Sequence, residues 1–183
     1  MRAILAFEKP AFLQEGLRII EEAEKKAILL RLLGSTAIRY HCNNNGKLLE
    51  QMKRELTDID MASYSKFSDR LSDFLPKQGY VPDRHFNDMQ AVGGYPRLKF
   101  NNAQTGLTLD IFMDRLCFCH EVPLSRLEVD RPTIALAELV LEKMQIVQLT
   151  EKDMKDNTPV GTGIYQKGWN LMFILYLVIP GWI

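Results

Sequence analysis

The sequence predicts an α/β (α+β) domain in which helices flank a small mixed β-sheet. Apolar residues make up 46% of the 183 residues and charged residues 25%, the composition of a globular protein with a real core. Helical and extended patterns alternate along the first two thirds of the chain. Two extended stretches, 97–100 and 107–113, are joined by NNAQTG, a polar loop with a glycine that is typical of a β-hairpin.

The elements that precede and follow this hairpin are predicted from periodicity and turn residues. Residues 11–26 carry apolar side chains at helical spacing, and 28–33 is an apolar run ended by a glycine, which indicates a buried strand. Ser35 can cap a second helix that runs to residue 42. The remaining predicted elements are a turn over 43–46, a short helix over 47–55, a strand over 58–63, a helix opened by Ser65 or Ser68 and ended before Gly79, an irregular stretch over 80–94, a strand over 117–122 and a long helix that begins at Thr133.

Charge and cysteine usage argue against several classes of function, although a local basic patch is still compatible with the zero net charge. Lys and Arg number 23 and so do Asp and Glu, so the formal net charge is zero and gives no bulk attraction to nucleic acid or to acidic membranes. Three cysteines do not suggest a disulfide framework, and they favour a reducing, cytoplasmic location. The apolar run at 171–179 is about half the roughly 20 residues that a membrane helix needs, so no membrane role is expected.

Asp58 and Asp60 stand on either side of one isoleucine in a stretch that otherwise resembles a strand. Aspartate is depleted in strands. Residues two apart on a strand point to the same face, which puts the two carboxylates roughly 6–7 Å apart. Two negative charges this close raise each other's pKa and repel unless a cation lies between them. The pair therefore predicts either a face that is open to water or a cation site.

Two further features suit a cation site. Asp110 lies in the apolar strand LTLDIFM, where a lone carboxylate is costly unless it is paired or bound to a metal. Gly34 and Ser35 lie at a strand-to-helix junction, where backbone N–H groups and the helix dipole favour a phosphate. Carboxylates beside such a turn suit divalent metal ions that hold a triphosphate for in-line displacement. The alternatives are a plain helix cap at the Gly-Ser turn, a solvated edge at the aspartate pair, and an ion pair of Asp110 with Arg97 or Lys99 across the hairpin.

The stretches LGSTAIR at 33–39, TDID at 57–60 and LDIF at 109–112 resemble the nucleotidyltransferase superfamily of DNA polymerase β. Its signature is Gly-Ser or Gly-Gly, then an acidic-x-acidic pair, then a third acidic residue on a later strand. The chain is most similar to the abortive-infection-type bacterial nucleotidyltransferase-like toxin proteins. That closer similarity rests on ELVLEKM at 138–144 and TEKDMKD at 150–156.

The resemblance implies a nucleotidyltransferase-like fold and a metal-dependent enzyme that transfers a nucleoside monophosphate from an NTP to a hydroxyl acceptor. Mg²⁺ or Mn²⁺ is the implied cofactor. The site residues that it implies are Asp58, Asp60 and Asp110 as catalytic metal ligands, and Gly34, Ser35 and Lys143 as contacts of the nucleotide phosphates. Lys99 lies on the strand expected to pair with that of Asp110, which favours either an ion pair with a carboxylate or a nucleotide-binding contact with phosphate.

We expect an N-terminal helix over 1–27, the nucleotidyltransferase-like domain over 28–156 and an atypical C-terminal tail over 157–183. The acceptor is left open between RNA, a protein and a small molecule. One alternative is a catalytically silent nucleotide-binding module, and another is a toxin-like interaction protein whose antitoxin partner masks the site. A purely structural role would make Asp58→Asn and Asp60→Asn neutral or stabilising.

Overall fold

The computed structural model describes residues 9–41, 58–118 and 120–144, and it confirms the mixed α+β architecture. Within these residues the helices are α1 (Lys9–Glu24), α2 (Gly34–His41), α3 (Ser68–Phe74), α4 (Arg84–Val92) and α5 (Leu136–Met144). The strands are β1 (Arg31–Leu32), β2 (Ile59–Ser63), β3 (Val81–Pro82), β4 (Arg97–Asn101), β5 (Thr108–Met113), β6 (Arg115–Cys117) and β7 (Glu121–Pro123). Short 3₁₀ turns, Ser65–Phe67 and Leu75–Gln78, flank α3.

A five-stranded mixed sheet with the order β1-β2-β5-β4-β3 forms the centre of the fold, and β6 and β7 form a separate hairpin. The central strands β2 and β5 are parallel, and the other neighbours in the sheet are antiparallel. The register pairs Asp60 with Asp110, and Asp110 with Lys99. Because side chains of directly paired residues point to the same side, these three residues share one face of the sheet.

The opposite face of the sheet is apolar and packs against α1. Met61 pairs with Leu32 on one side and with Ile111 on the other, and all three are fully buried. A Cβ atom on Gly16 of α1 would lie only 2.8 Å from Leu32 Cδ2, so α1 packs closely on the strands. The face toward α1 is therefore apolar, and the charged residues lie on the other face, beside buried Ala62 and Phe112.

Several predicted elements are confirmed with small shifts in their ends. The hairpin over 97–113 is present as β4 and β5, and the two predicted helices before residue 42 are α1 and α2. The strand expected over 28–33 is shortened to β1. The strand expected over 117–122 is wrong, because the chain folds back there as the hairpin of β6 and β7. The helix expected over 47–55 and the TEKDMKD stretch lie outside the described residues.

The prediction of an irregular stretch over 80–94 is wrong, since β3 and α4 lie there. Asp83 caps α4, and its carboxylate accepts a hydrogen bond from the Phe86 N–H at 3.1 Å. Asn87 then fastens α4 to β4. Its Oδ1 accepts from the Lys99 N–H (2.7 Å) and its Nδ2 donates to the Lys99 carbonyl (3.2 Å). The aspartate just before the helix is the signal in the sequence that indicates α4.

The prediction that the last helix begins at Thr133 is also wrong. The Leu32 N–H donates to the Pro132 carbonyl (2.8 Å), and the Ile134 N–H donates to the Leu32 carbonyl (3.0 Å). The backbone around Thr133 is therefore hydrogen-bonded to β1 as an isolated β-bridge, and α5 starts only at Leu136. The predicted continuation of this helix beyond residue 144 lies outside the described residues.

A helix must be long and apolar to span a membrane, and no membrane role is expected for this chain. In the part of the chain that the structure describes, no helix combines the length and the apolar character needed to span a bilayer. The apolar run at 171–179 lies outside that part.

We expect Asp83→Ala to lower the free energy of unfolding by about 1 kcal/mol, because it removes the N-cap of α4. Asp88→Ala is the matched control, since it removes the same charge from an exposed position in the same helix. That control should change the free energy of unfolding by less than about 0.5 kcal/mol. Urea denaturation followed by circular dichroism measures both variants, and equal losses would contradict the capping role.

Candidate functional site

Neighbouring strands of the central sheet carry carboxylates to one region. Asp60 lies in β2, and Asp110 lies at the paired position in β5. Asp58 stands just before β2, two residues from Asp60. Asp110 is buried, with 2% of its surface exposed, whereas the other two aspartates are half-buried. The structure thus brings near one another the three residues that the sequence predicted as metal ligands.

The surroundings of Asp60 raise its pKa to about 8. Burial of the carboxylate is the largest cause, since burial disfavours the charged form. Asp60 as a whole residue is half-buried. The negative charges of Asp58, Glu142 and Asp110 add to the effect, in that order, and Lys143 opposes it. Negative charge around Asp60 therefore outweighs positive charge. Carboxylate oxygens are the ligand type that divalent cations prefer, and a cation would relieve the imbalance.

Asp110 is held by Arg97 from the neighbouring strand β4. The Arg97 Nε donates to Asp110 Oδ1 at 2.6 Å, and Arg97 Nη2 donates to Oδ2, which makes a two-point ion pair. The guanidinium carbon lies 4.4 Å from the centre of the Phe112 ring and 5.3 Å from that of Phe86. Burial alone would lower the pKa of Arg97, but its hydrogen bond to Asp110 and the charge of that residue raise it overall. This pair is one of the alternatives that the sequence left open for Asp110.

The aspartates do not form a ready-made metal site in this conformation. Across residues 9–41, 58–118 and 120–144, no three His, Cys, Asp or Glu side chains are arranged so that they could hold a metal ion. Both oxygens of Asp110 are engaged by Arg97. The metal-ligand role of Asp58, Asp60 and Asp110 therefore stays a prediction.

Gly34 joins β1 to α2 and lies directly against Asp60. Its φ is +61°, in the left-handed region that favours glycine. A Cβ atom on Gly34 would collide with Asp60 Oδ2 and lie 3.2 Å from Asp60 Cβ. The Leu33 N–H donates to the Asp60 carbonyl (2.9 Å), and the half-buried Ser35 follows as the second residue of α2. The Gly-Ser turn and the aspartate pair are therefore one structural unit.

Helix α5 brings two charged residues to this turn. Glu142 Oε2 accepts a hydrogen bond from the Gly34 N–H at 3.1 Å, and Glu142 Oε1 lies 3.2 Å from Lys143 Nζ. The side chains of Glu142 and Lys143 are 9% and 12% exposed. Lys143, predicted as a phosphate contact, is close enough for its charge to act on Asp60. Glu142 was not predicted as a site residue, although it belongs to the helix motif that the resemblance included.

Lys99 is half-buried in β4 and lies opposite Asp110. Its Nζ lies 5.1 Å from the centre of the Phe86 ring, which Arg97 also approaches. Phe86 belongs to α4, which was not predicted from the sequence, and no pattern in the sequence indicates that Phe86 contacts two cations. A phosphate contact of Lys99 stays a prediction.

Comparison with solved structures identifies the fold. The chain is similar to the solution structure of the antibiotic-resistance factor ANT(2'')-Ia, an aminoglycoside nucleotidyltransferase, with a TM-score of 0.54 over 92% of this chain and 90% of that chain. The two sequences are 11% identical, so the similarity shows a nucleotidyltransferase fold and no more. The chain matches no family model and no curated protein by sequence. Its closeness to the abortive-infection-type proteins stays a prediction.

We expect Gly34→Ala to destabilise the protein far more than Gly106→Ala. Both glycines have a positive φ, so alanine at either position costs about 1–2 kcal/mol in backbone strain. Only at Gly34 does the new Cβ also collide with Asp60, since nothing lies within 4 Å of a Cβ on Gly106. Chemical denaturation measures the difference in the free energy of unfolding.

The second variant in this test is Gly34→Ala combined with Asp60→Ala. Removing the carboxylate should recover most of the additional loss, because the collision is with its oxygen and carbon atoms. Strictly additive losses would contradict the direct contact.

We also expect the stability of the metal-free protein to depend on pH through Asp60. Its folded-state pKa of about 8 lies above the ordinary 3.8. Its contribution to the free energy of unfolding is therefore complete at acid pH and is lost as the pH rises from about 4 through about 8. Asp60→Asn should remove this loss and unfold at a higher temperature than the wild type above pH 8. Melting temperatures measured from pH 5 to 9 test this.

Asp88→Asn, at an exposed position, is the control and should keep the wild-type pH profile. Mg²⁺ should flatten the wild-type profile, because a bound cation favours the ionised carboxylate. Parallel profiles for the wild type and Asp60→Asn would show that Asp60 titrates normally.

Proposed function

We propose that this chain is a metal-dependent nucleotidyltransferase that transfers a nucleoside monophosphate from an NTP to a hydroxyl acceptor. The observation that carries the proposal is the excess of carboxylate charge around Asp60, directly beside the turn at Gly34 and Ser35. This arrangement suits a divalent cation and a phosphate in adjacent positions. The nucleotidyltransferase fold shared with ANT(2'')-Ia supports the same reaction class.

In the proposed reaction the acceptor oxygen attacks the α-phosphorus of the NTP. The bond from that phosphorus to the oxygen bridging to the β-phosphorus breaks, and pyrophosphate leaves with that oxygen. The proton of the acceptor hydroxyl passes to a carboxylate of the site, and Asp110 is our candidate. Mg²⁺ or Mn²⁺, held by Asp58, Asp60 and Asp110, would neutralise phosphate charge. The remaining contribution of the chain is positioning.

Arg97 holds Asp110 in place in this scheme. It donates one hydrogen bond to each carboxylate oxygen, and each oxygen keeps a lone pair for a metal ion or a proton. A phosphate group that arrives beside Asp110 offers the guanidinium another two-point partner. Lys99 and Lys143 supply further positive charge for the phosphates, from β4 and α5 respectively.

For the acceptor we propose a small molecule with hydroxyl groups, because ANT(2'')-Ia, a structural neighbour, is an aminoglycoside nucleotidyltransferase. RNA and protein hydroxyls are the alternatives. Incubation with a radiolabelled NTP and each acceptor class in turn distinguishes them by the product that carries the label.

A second candidate function is nucleotide binding without turnover. It is favoured by the two-point pair between Arg97 and Asp110, which leaves the third carboxylate engaged. Nucleotide binding with no pyrophosphate release in the presence of any acceptor would support it. The antitoxin-like partner stays a prediction, tested by co-expression with the product of the neighbouring gene.

We expect the melting temperature to rise when Mg²⁺ and one of ATP, CTP, GTP or UTP are present together. An NTP at about 100 times its Kd should add roughly 2.7 kcal/mol to the free energy of unfolding. Asp58→Asn should abolish the shift, because it removes a carboxylate from the metal site. Differential scanning fluorimetry with and without Mg²⁺ measures the effect.

Asp88→Asn is the control, since the same chemical change at an exposed position of α4 should leave the shift unchanged. Absence of a shift with all four NTPs, in a protein that unfolds cooperatively, would overturn the proposed function. A shift that survives Asp58→Asn would place the nucleotide elsewhere.

A further inference from the structure

Glu142 is a buried carboxylate in a position that would suit an anion from solution. Its Oε2 accepts from the Gly34 N–H at 3.1 Å, at the first residue of α2. Backbone N–H groups at the start of a helix, together with the helix dipole, favour negatively charged groups. Here the negative charge comes from the chain itself, and only 9% of the Glu142 surface is exposed.

The charge of Glu142 is unfavourable for the charge of Asp60. Among the charges that act on Asp60, that of Glu142 ranks second after Asp58 in raising its pKa. Lys143 compensates in part, with its Nζ 3.2 Å from Glu142 Oε1. A side chain that only tied α5 to the turn would not need this charge, because an amide oxygen accepts the same hydrogen bond. The charge does match that of a phosphate oxygen.

We propose that Glu142 is an internal anion that occupies the phosphate position of the Gly34 turn, and that the triphosphate of the incoming nucleotide displaces it. The proposal rests on the proposed function, because it concerns regulation of the same site. On displacement the Gly34 N–H passes from Glu142 Oε2 to a phosphate oxygen. Lys143 then leaves Glu142 and contacts the phosphates. The same displacement therefore places a phosphate on the Gly34 turn and makes the Lys143 ammonium available to it.

An internal competitor weakens binding in a defined way. The apparent Kd equals the intrinsic Kd divided by the fraction of molecules in which the turn is vacant. Removing the competitor therefore tightens the binding of polyphosphate. A side chain with a merely structural role would leave the Kd unchanged or weaken binding through loss of the turn.

The test measures the binding of inorganic tripolyphosphate, without metal, to the wild type, Glu142→Ala and Glu142→Gln by titration calorimetry. We expect Glu142→Ala to bind about tenfold more tightly than the wild type, a factor that corresponds to about 1.4 kcal/mol. Glu142→Gln keeps an acceptor for the Gly34 N–H but lacks the charge, so its affinity should lie between the two. It also serves as the test variant if Glu142→Ala does not fold.

Asp58→Asn is the matched control, because it removes one negative charge from the same region while Glu142 stays on Gly34. Its gain in affinity for tripolyphosphate should be clearly smaller than that of Glu142→Ala. With Mg²⁺ and NTP the two substitutions should act in opposite directions, since Asp58→Asn loses a metal ligand. The amide resonance of Gly34 in ¹⁵N spectra should shift on addition of tripolyphosphate.

Equal affinities of the wild type and both Glu142 variants would overturn the proposal, and so would a gain no larger than that of Asp58→Asn. Absence of tripolyphosphate binding by every variant would overturn it as well. Failure of the proposed function has a different signature. In that case the Glu142 variants gain affinity for tripolyphosphate, but Mg²⁺ with NTP produces no stabilisation that depends on Asp58.

Discussion

The close approach of Gly34 to the carboxylate of Asp60 is the constraint on which the rest of the site depends. A Cβ at residue 34 would overlap with Asp60 Oδ2, and the φ of Gly34 is positive. A backbone bond from Leu33 to Asp60 keeps the two segments in register. A phosphate on the turn and a cation on the aspartates would therefore lie in contact, as phosphoryl transfer requires.

Charge balance explains why the remaining ionic contacts lie where they do. Burying several carboxylates together is costly unless each finds a positive or hydrogen-bonding partner. Arg97 forms an ion pair with Asp110, and Glu142 is paired with Lys143 and the Gly34 N–H. Asp60 has the raised pKa because it is buried and because the neighbouring charges are mostly of its own sign. In the conformation described, Asp110 and Glu142 thus have partners within the chain, whereas the charge on Asp60 is not balanced.

Helix α4 links the fold to this charge balance. Asn87 bonds both backbone groups of Lys99, and Phe86 places an aromatic face near Lys99 and Arg97. The helix was missed because it is short and has no buried residue, so it lacks the apolar stripe by which helices are recognised in a sequence. Its formation rests on the Asp83 cap and on bonds to a strand that comes later in the chain. Such bonds are set by tertiary packing.

The sequence by itself determined the α+β class, the helix after Gly34 and the hairpin of β4 and β5, because these depend on local periodicity and turn residues. It also predicted that Asp58 and Asp60 share a face, since a strand repeats every two residues. Only the tertiary structure decided that Arg97 rather than Lys99 bonds Asp110, that Glu142 reaches the Gly34 N–H, and that the backbone near Thr133 joins β1 before α5 begins. These are contacts between elements. Their partners depend on how the elements pack, and local pattern carries no information about that.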